Sequence, residues 1–373
     1  MKICFVLPSL AGGGAERAAV QILNALDQRW ERSMYLFSRE GPYLDDLSPS
    51  VHLSAGTDQS RLGRWRALRR FIRETRPDVV VSFLSYFSVL TAVRAAGVGA
   101  RVVFNQQTPM SAFLADGDYH WRRRWHRHVF AVATRVGYAA ADLIVTTSQG
   151  VADDLVAAFG VTRECVRVVP NPVDLDAIAE AAREPLDAVH AAGWRHPAIV
   201  AAGRLAEAKN YPLLIEALAI LRARVPAKLF ILGQGDQERA IRALVSARGL
   251  DDAVVLCGFQ KNPWKYIARA DVFALSSHYE GFGNVLVEAM ACGVPVVATQ
   301  SSGTCDIVRD GVDGVLVGRH EPGELAAALE RVLGDEPFRR RLTHEARHGA
   351  ERFALPLVAS TYGRVFGSLV ACA

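Results

Sequence analysis

An α/β chain with two mostly parallel sheets, each covered by helices on both faces, is what this sequence predicts. Three observations carry that expectation. Strand-like apolar runs alternate with helical patterns from one end to the other. The alternation falls into two series, each opening with strand, glycine-bearing loop and helix; Gly12, Gly13 and Gly14 lie in the first such loop, Gly203 and Arg204 in the second. The length, 373 residues, exceeds the roughly 250–300 at which one hydrophobic core stops growing, and 50% of the residues are hydrophobic.

Taken in order, the first series places strands at 3–7, 34–38, 79–83, 102–105 and 143–147, most of them apolar on both faces, and its first helix at 15–26. Pro170-Asn171-Pro172 breaks the pattern, and a helix is expected over 175–192, before Pro197. The second series starts at Ile199, runs a helix over 211–221, and continues with strands at 229–232, 254–256, 272–275, 294–298 and 315–317. The expectation is two Rossmann-like domains facing each other across a cleft. Their bounds are 1–175 and 176–355, with the linker inside 171–196, and a last helix, 356–373, packs back on the first domain.

Composition narrows the function classes. Lys and Arg number 43 against 39 Asp and Glu, a net charge of 43 − 39 = +4, too small to single out nucleic acid as partner. With 22% charged residues the chain is not of the disordered class. Arg135, Asp142 and Arg364 interrupt the longest apolar stretches below membrane-spanning length. The run 3–7 before Pro8 is strand length and does not read as a signal peptide, so a cytoplasmic protein is expected. Cys4, Cys165, Cys257, Cys292, Cys305 and Cys372 form no C-x-x-C pair, which fits reduced thiols.

Several motifs suggest chemistry that their context withdraws. Neither Gly12-Gly13-Gly14-Ala15-Glu16-Arg17 nor Gly233-Gln234-Gly235-Asp236-Gln237-Glu238 completes G-x-G-x-x-G, which disfavours a dinucleotide enzyme. The first loop still offers backbone N–H groups at a helix start, suited to an anion or a sugar hydroxyl. His344-Glu345-Ala346-Arg347-His348 matches the zinc-protease H-E-x-x-H. At 100° per residue its histidines fall away from the apolar face of Phe338, Leu342, Gly349 and Phe353, and Arg339, Arg340, Arg341 and Arg347 would repel a dication. Asp174 and Asp176 read better as a helix start than as a metal pair, and Asp116 with Asp118 as a turn.

The strongest constellation lies in the second half. Arg204 and Lys209 follow a strand, and Glu280 and Glu288 bracket Gly283-Asn284-Val285 at a helix start. Helix N–H groups and two cations suit a diphosphate, with carboxylates placed for hydroxyls.

On these residues the chain resembles the retaining glycosyltransferases of family 4, the GT-B group, over nearly its whole length. The motif E-x7-E is Glu280 to Glu288, Asn171-Pro172-Val173-Asp174 is a second mark, and the stretch 288–297 is a third. The resemblance implies a hexosyltransferase of GT-B fold that needs no metal and no other cofactor. It implies that Glu280, Arg204 and Lys209 carry the reaction. Gly203, Gly283, Asn284, Val285 and Glu288 would hold the nucleotide-sugar donor, with Glu288 on the ribose and Glu280 on the sugar. The second domain would then bind the donor and the first the acceptor, a lipid-linked or envelope saccharide, with Gly12, Gly13 and Gly14 over the diphosphate and acceptor. An epimerase or hydrolase on the same fold, or a saccharide-binding protein without activity, are the alternatives. Two departures stand out: Asn105-Gln106-Gln107-Thr108 occupies the place where many members carry a histidine, leaving Asn105, Gln106 or His120 to replace it, and Asp306 stands where relatives have a longer carboxylate.

Two basic segments point to a surface partner. Residues 61–76 hold seven arginines and one acid, and 119–128 hold four arginines, three histidines and two tryptophans. Trp121, Trp125, Val129 and Val132 recur at helical spacing beside Arg123, Arg124 and Arg127. That is the pattern of a helix lying on an anionic membrane or meeting an acceptor lipid; tryptophans packed on the core are the other reading. A peripheral position at the inner face of the cytoplasmic membrane is therefore expected.

Overall fold

The computed structural model describes residues 1–371 apart from 57, 59, 85, 116–131, 133 and 319. Trp121, Arg123, Arg124, Trp125, Arg127, Val129, His120, Asp116 and Asp118, singled out above, lie outside the described residues, as does Cys372. The described residues form two units, one from residues 1–172 and 353–371, the other from Val173–Arg352.

The first unit is built on β1 (Lys2–Leu7), β2 (Glu31–Leu36), β3 (His52–Ala55), β4 (Val79–Phe83), β5 (Arg101–Gln106), β6 (Leu143–Thr146) and β7 (Val166–Val168). All pair in parallel, in the order β3-β2-β1-β4-β5-β6-β7. Side chains alternate across a strand, so β1 feeds two cores. Ile3, Phe5 and Leu7 join Val358, Tyr362 and Phe366 of the last helix, Leu355–Ala371, on one face. Cys4 and Val6 join Phe71, Ile72 and Phe104 on the other. This double burial is why the central strands read as unbroken apolar runs.

The second unit repeats the scheme with β8 (Ala198–Ala202), β9 (Lys228–Leu232), β10 (Val254–Gly258), β11 (Val272–Leu275), β12 (Val296–Thr299) and β13 (Val315–Val317), ordered β10-β9-β8-β11-β12-β13. In each unit the first strand pairs with the second on one side and the fourth on the other. The connections therefore reverse direction there, and the crevice outside the strand ends at such a reversal is the usual ligand position of these sheets. In the second unit the crevice lies beyond β8 and β11.

Two sequence expectations change and two hold. Edge strands β3 and β7 were not foreseen, because neither has an apolar run: β3 is at best half-buried and β7 is only three residues, two of them exposed. The helix expected over 175–192 is two helices, Leu175–Ala181 and Ala188–Gly193, since Pro185 disfavours helical backbone at Glu184. Asp174 does cap the first of these, its side chain accepting from the Ala177 N–H at 3.0 Å. In the helix Glu336–Glu351, His344 and His348 are exposed while Phe338, Leu342, Ala346, Gly349 and Ala350 are buried, as the periodicity requires.

Candidate active site

The crevice beyond β8 and β11 gathers most of the residues singled out in the second half. After β8 the chain passes Gly203 and Arg204 and makes a 3-10 turn, Glu207–Lys209, ended by Asn210 in the left-handed region at φ 46°. That reversal returns Lys209 over the strand end. After β11, Ser276 donates to the Lys209 carbonyl at 3.0 Å and the His278 N–H to the Ala208 carbonyl at 2.8 Å, so the second loop is tied onto the first.

Within this frame the Lys209 ammonium meets Glu280 Oε1 at 2.5 Å, and the Ser277 hydroxyl donates to the same oxygen at 2.7 Å. Glu280 is only 9% exposed, so these two partners stand where water barely reaches. Its Oε2 accepts no hydrogen bond from any described residue. Lys209 is thus already engaged by a carboxylate, whereas the exposed Arg204 guanidinium makes no hydrogen bond or ion pair among the described residues. Tyr211 donates to the Gly203 carbonyl at 3.1 Å, and burial, helped by the Glu280 charge, pushes its hydroxyl well up, so it stays a donor.

Gly283, at φ 100°, turns the chain from Glu280 into the helix Asn284–Ala291, a conformation that strains any other residue. The first N–H groups of a helix, here at Asn284 and Val285, have no acceptor within it and carry its positive dipole end. One turn further, Glu288 is 6% exposed and accepts from Trp264 Nε1 at 2.9 Å. Asp306 lies in the helix Ser302–Ile307, whose Gly303 N–H donates to the Glu280 carbonyl at 3.1 Å.

Sequence reasoning missed five contributors here. Trp264 and Ser277 carry no motif, and Tyr211 reads only as a helix residue. Gly233 and Gly235 read as a failed nucleotide loop, yet their role is close approach. A Cβ on Gly233 would lie 2.0 Å from the Gly203 carbonyl oxygen, and one on Gly235 2.3 Å from that of Leu205. The loop after β9 therefore backs directly onto the one that carries Arg204.

The remaining candidates belong to the first unit. Gly12 sits at φ 110°, packed on Pro42, and its carbonyl accepts from the Tyr43 hydroxyl at 3.4 Å; Gly13 lies under the Glu16 carboxylate and Gly14 starts the helix Gly14–Ala25. Asn105 and Gln106 end β5 and are fully engaged inside the fold. Asn105 Nδ2 donates to the Tyr362 hydroxyl at 2.8 Å and its Oδ1 accepts from Gln107, which pairs in turn with Asn171. Gln106 bonds the Thr108 carbonyl and the Tyr138 hydroxyl. Both side chains act as internal ties.

Known proteins fit this architecture. Residues 12–177 match the family model described as Glycosyltransferase Family 4, and residues 183–349 the one described as Glycosyl transferases group 1. The N-acetylgalactosamine-N,N'-diacetylbacillosaminyl-diphospho-undecaprenol 4-alpha-N-acetylgalactosaminyltransferase of Campylobacter jejuni is 28% identical over 365 residues, 94% of this chain and 95% of that one. The lipopolysaccharide core biosynthesis glycosyltransferase LpsE of Rhizobium meliloti is 27% identical, over 95% and 96% of the two chains. In fold, the crystal structure of Anabaena HepE in complex with UDP and glucose matches with a TM-score of 0.82 at 21% identity, over 99% of this chain and 100% of that one. With the two family models meeting end to end on two doubly wound sheets, the chain belongs to the family 4 type of GT-B glycosyltransferases.

Proposed function

We propose that this glycosyltransferase moves a sugar, with retention, from a nucleoside diphosphate donor to a hydroxyl of a lipid-linked or envelope saccharide. The observation that carries the reading is the Lys209–Glu280 pair at the crevice, beside the helix start at Gly283. The C1–O bond to the diphosphate breaks, its electron pair leaving on the phosphate, and the acceptor oxygen bonds C1 on the same face. The acceptor proton passes to the departing phosphate oxygen. Arg204, Lys209 and the N–H groups of Asn284 and Val285 offset the charge that develops there, so no metal is required. The free Oε2 of Glu280 is the acceptor for a donor-sugar hydroxyl, and Glu288, steadied by Trp264, that for the ribose. The names of the Campylobacter and Rhizobium relatives support a saccharide acceptor, and the UDP complex of HepE a nucleotide-sugar donor.

A panel of nucleotide sugars and saccharide acceptors, assayed in EDTA, tests this. Nucleoside diphosphate should appear only with acceptor, and NMR of the product should show the donor's anomeric configuration. In calorimetry Glu288→Ala should weaken nucleoside diphosphate binding while Glu280→Gln largely spares it and lowers turnover. An inverted product, release without acceptor, or equal binding losses would remove the corresponding part of the reading.

We further infer that the first unit meets its acceptor at an anionic membrane. No helix among the described residues is long and apolar enough to cross one. The helix Arg61–Thr75 carries its arginines around Leu62, 55% exposed, and packs beside Tyr86–Ala96, whose Phe87 is 56% exposed. Apolar side chains among cations suit an interfacial position, each cation contributing on the order of 1 kcal/mol at an anionic surface. Co-sedimentation with phosphatidylglycerol vesicles should fall in Arg66→Glu/Arg70→Glu and with salt; binding unchanged by either would refute the inference.

A further inference from the structure

The H-E-x-x-H helix, which the catalytic reading leaves unused, forms one wall of a cavity of about 330 Å³. Arg339, Thr343 and Arg347 recur every four residues along its inner flank, with Arg340 and His344 beside them. The opposite wall is backbone-rich: Ala270 and Asp271 at the start of β11, Gly293 and Pro295 at the start of β12. These are the amino ends of the strands, whereas Lys209 and Glu280 follow the carboxyl ends of β8 and β11. The cavity and the donor crevice thus lie at opposite edges of one sheet, separated by roughly 13 Å along the four residues of β11.

The charges here are unbalanced. The lining holds three arginines and a single carboxylate, Asp271, which is already committed to His196 Nδ1 and to the Ala198 N–H, each at 2.7 Å. Arg339 keeps one nitrogen on the Leu333 carbonyl at 2.9 Å, and Arg340 pairs with Glu336. The Arg347 guanidinium makes no hydrogen bond or ion pair with any described residue. It lies against Gly293, where a Cβ would come within 2.2 Å of its Nε, so the glycine that ends the preceding helix at φ 72° also makes room for the guanidinium.

We propose that this cavity is a second anion site that binds a phosphate or diphosphate group, separate from the donor. Guanidinium forks match phosphate oxygens in geometry and charge, the Thr343 hydroxyl and the His344 ring add short-range partners, and the volume is that of a small-molecule pocket. The arginines that deny this helix a zinc ion supply the field an anion needs. Two sources share the chemistry, a soluble phosphate ester and the headgroup of a phospholipid. The proposal is independent of the catalytic reading.

Calorimetry with inorganic pyrophosphate on the full chain tests it. Arg204→Ala/Lys209→Ala, which weakens the donor crevice, should retain a pyrophosphate site. Adding Arg339→Glu/Arg347→Glu should weaken that site roughly 100-fold or more, as expected for two charge-assisted contacts. Thr343→Glu, an exchange on a half-buried position, should do the same and guards against misfolding of the double variant. Flotation with phosphatidylglycerol against phosphatidylcholine vesicles separates the sources. A loss of vesicle binding in Thr343→Glu identifies the headgroup, and pyrophosphate binding lost with flotation unchanged identifies a soluble ester. If Thr343→Glu and Arg339→Glu/Arg347→Glu leave both pyrophosphate affinity and flotation at the starting values, the cavity is no anion site.

Discussion

Lys209→Ala is expected to lower turnover by roughly 10- to 150-fold, the loss of one charge-assisted bond of about 1.5–3 kcal/mol in the transition state. The effect has two parts that the structure separates. Lys209 faces the position assigned to the diphosphate, and it also neutralises Glu280, whose side chain is 11% exposed against 24% for the lysine. Without it the carboxylate keeps only the Ser277 hydroxyl, so stability should fall as well, by about 1–3 kcal/mol. Arg204→Ala provides the contrast: exposed and tied to no described side chain, it should lose comparable activity with an unchanged melting temperature. Steady-state kinetics beside thermal melts read both quantities. Full activity in either variant would end its assignment to the phosphate.

Gly233→Ala should be among the most damaging single changes in the second unit. Its new methyl would stand 2.0 Å from the Gly203 oxygen and 2.9 Å from the Gly203 carbonyl carbon, main-chain atoms that have no rotamer to change. Overpacking typically costs 1–3 kcal/mol, and a backbone clash belongs at the upper end. A loss of about 3 kcal/mol lowers the melting temperature by roughly 6–12 °C in a unit of this size. Because the obstruction sits behind the loop bearing Arg204, donor affinity should fall with stability. Gly323→Ala is the control: a Cβ there meets nothing within 4 Å, and alanine in a helix is neutral to stabilising. Equal melts for the two variants would show that the loops after β8 and β9 can separate without cost.

Legibility in the sequence followed burial and locality. Central strands such as β1 and β8, covered on both faces, left continuous apolar runs; β3 and β7, at the rim of the first sheet, left none. The Glu280–Glu288 turn was readable because both carboxylates and the glycine that starts the helix fall within nine consecutive residues. Trp264 was not, since its bond to Glu288 spans 24 positions and follows no periodicity. Nor could spacing show that Asn105 and Tyr362, 257 positions apart, share a hydrogen bond that ties the Asn105 amide into the fold. Arginines around an H-E-x-x-H helix argued against a dication, but the concave wall that gathers them comes from the starts of β11 and β12.

The last helix has a consequence for the order of events during synthesis. Val358, Tyr362 and Phe366 cover the face of β1 that carries Ile3, Phe5 and Leu7, yet they leave the ribosome after the whole of residues 173–352. At ~5–20 residues per second that interval is roughly 10–40 s. The half that is made first therefore waits, with the part of an apolar sheet face not covered by the helix Gly14–Ala25 left open, while the later half is already complete and able to close on its own. A chain arranged in this way keeps its amino-terminal half open to chaperones, and to wrong partners, for about half of its translation.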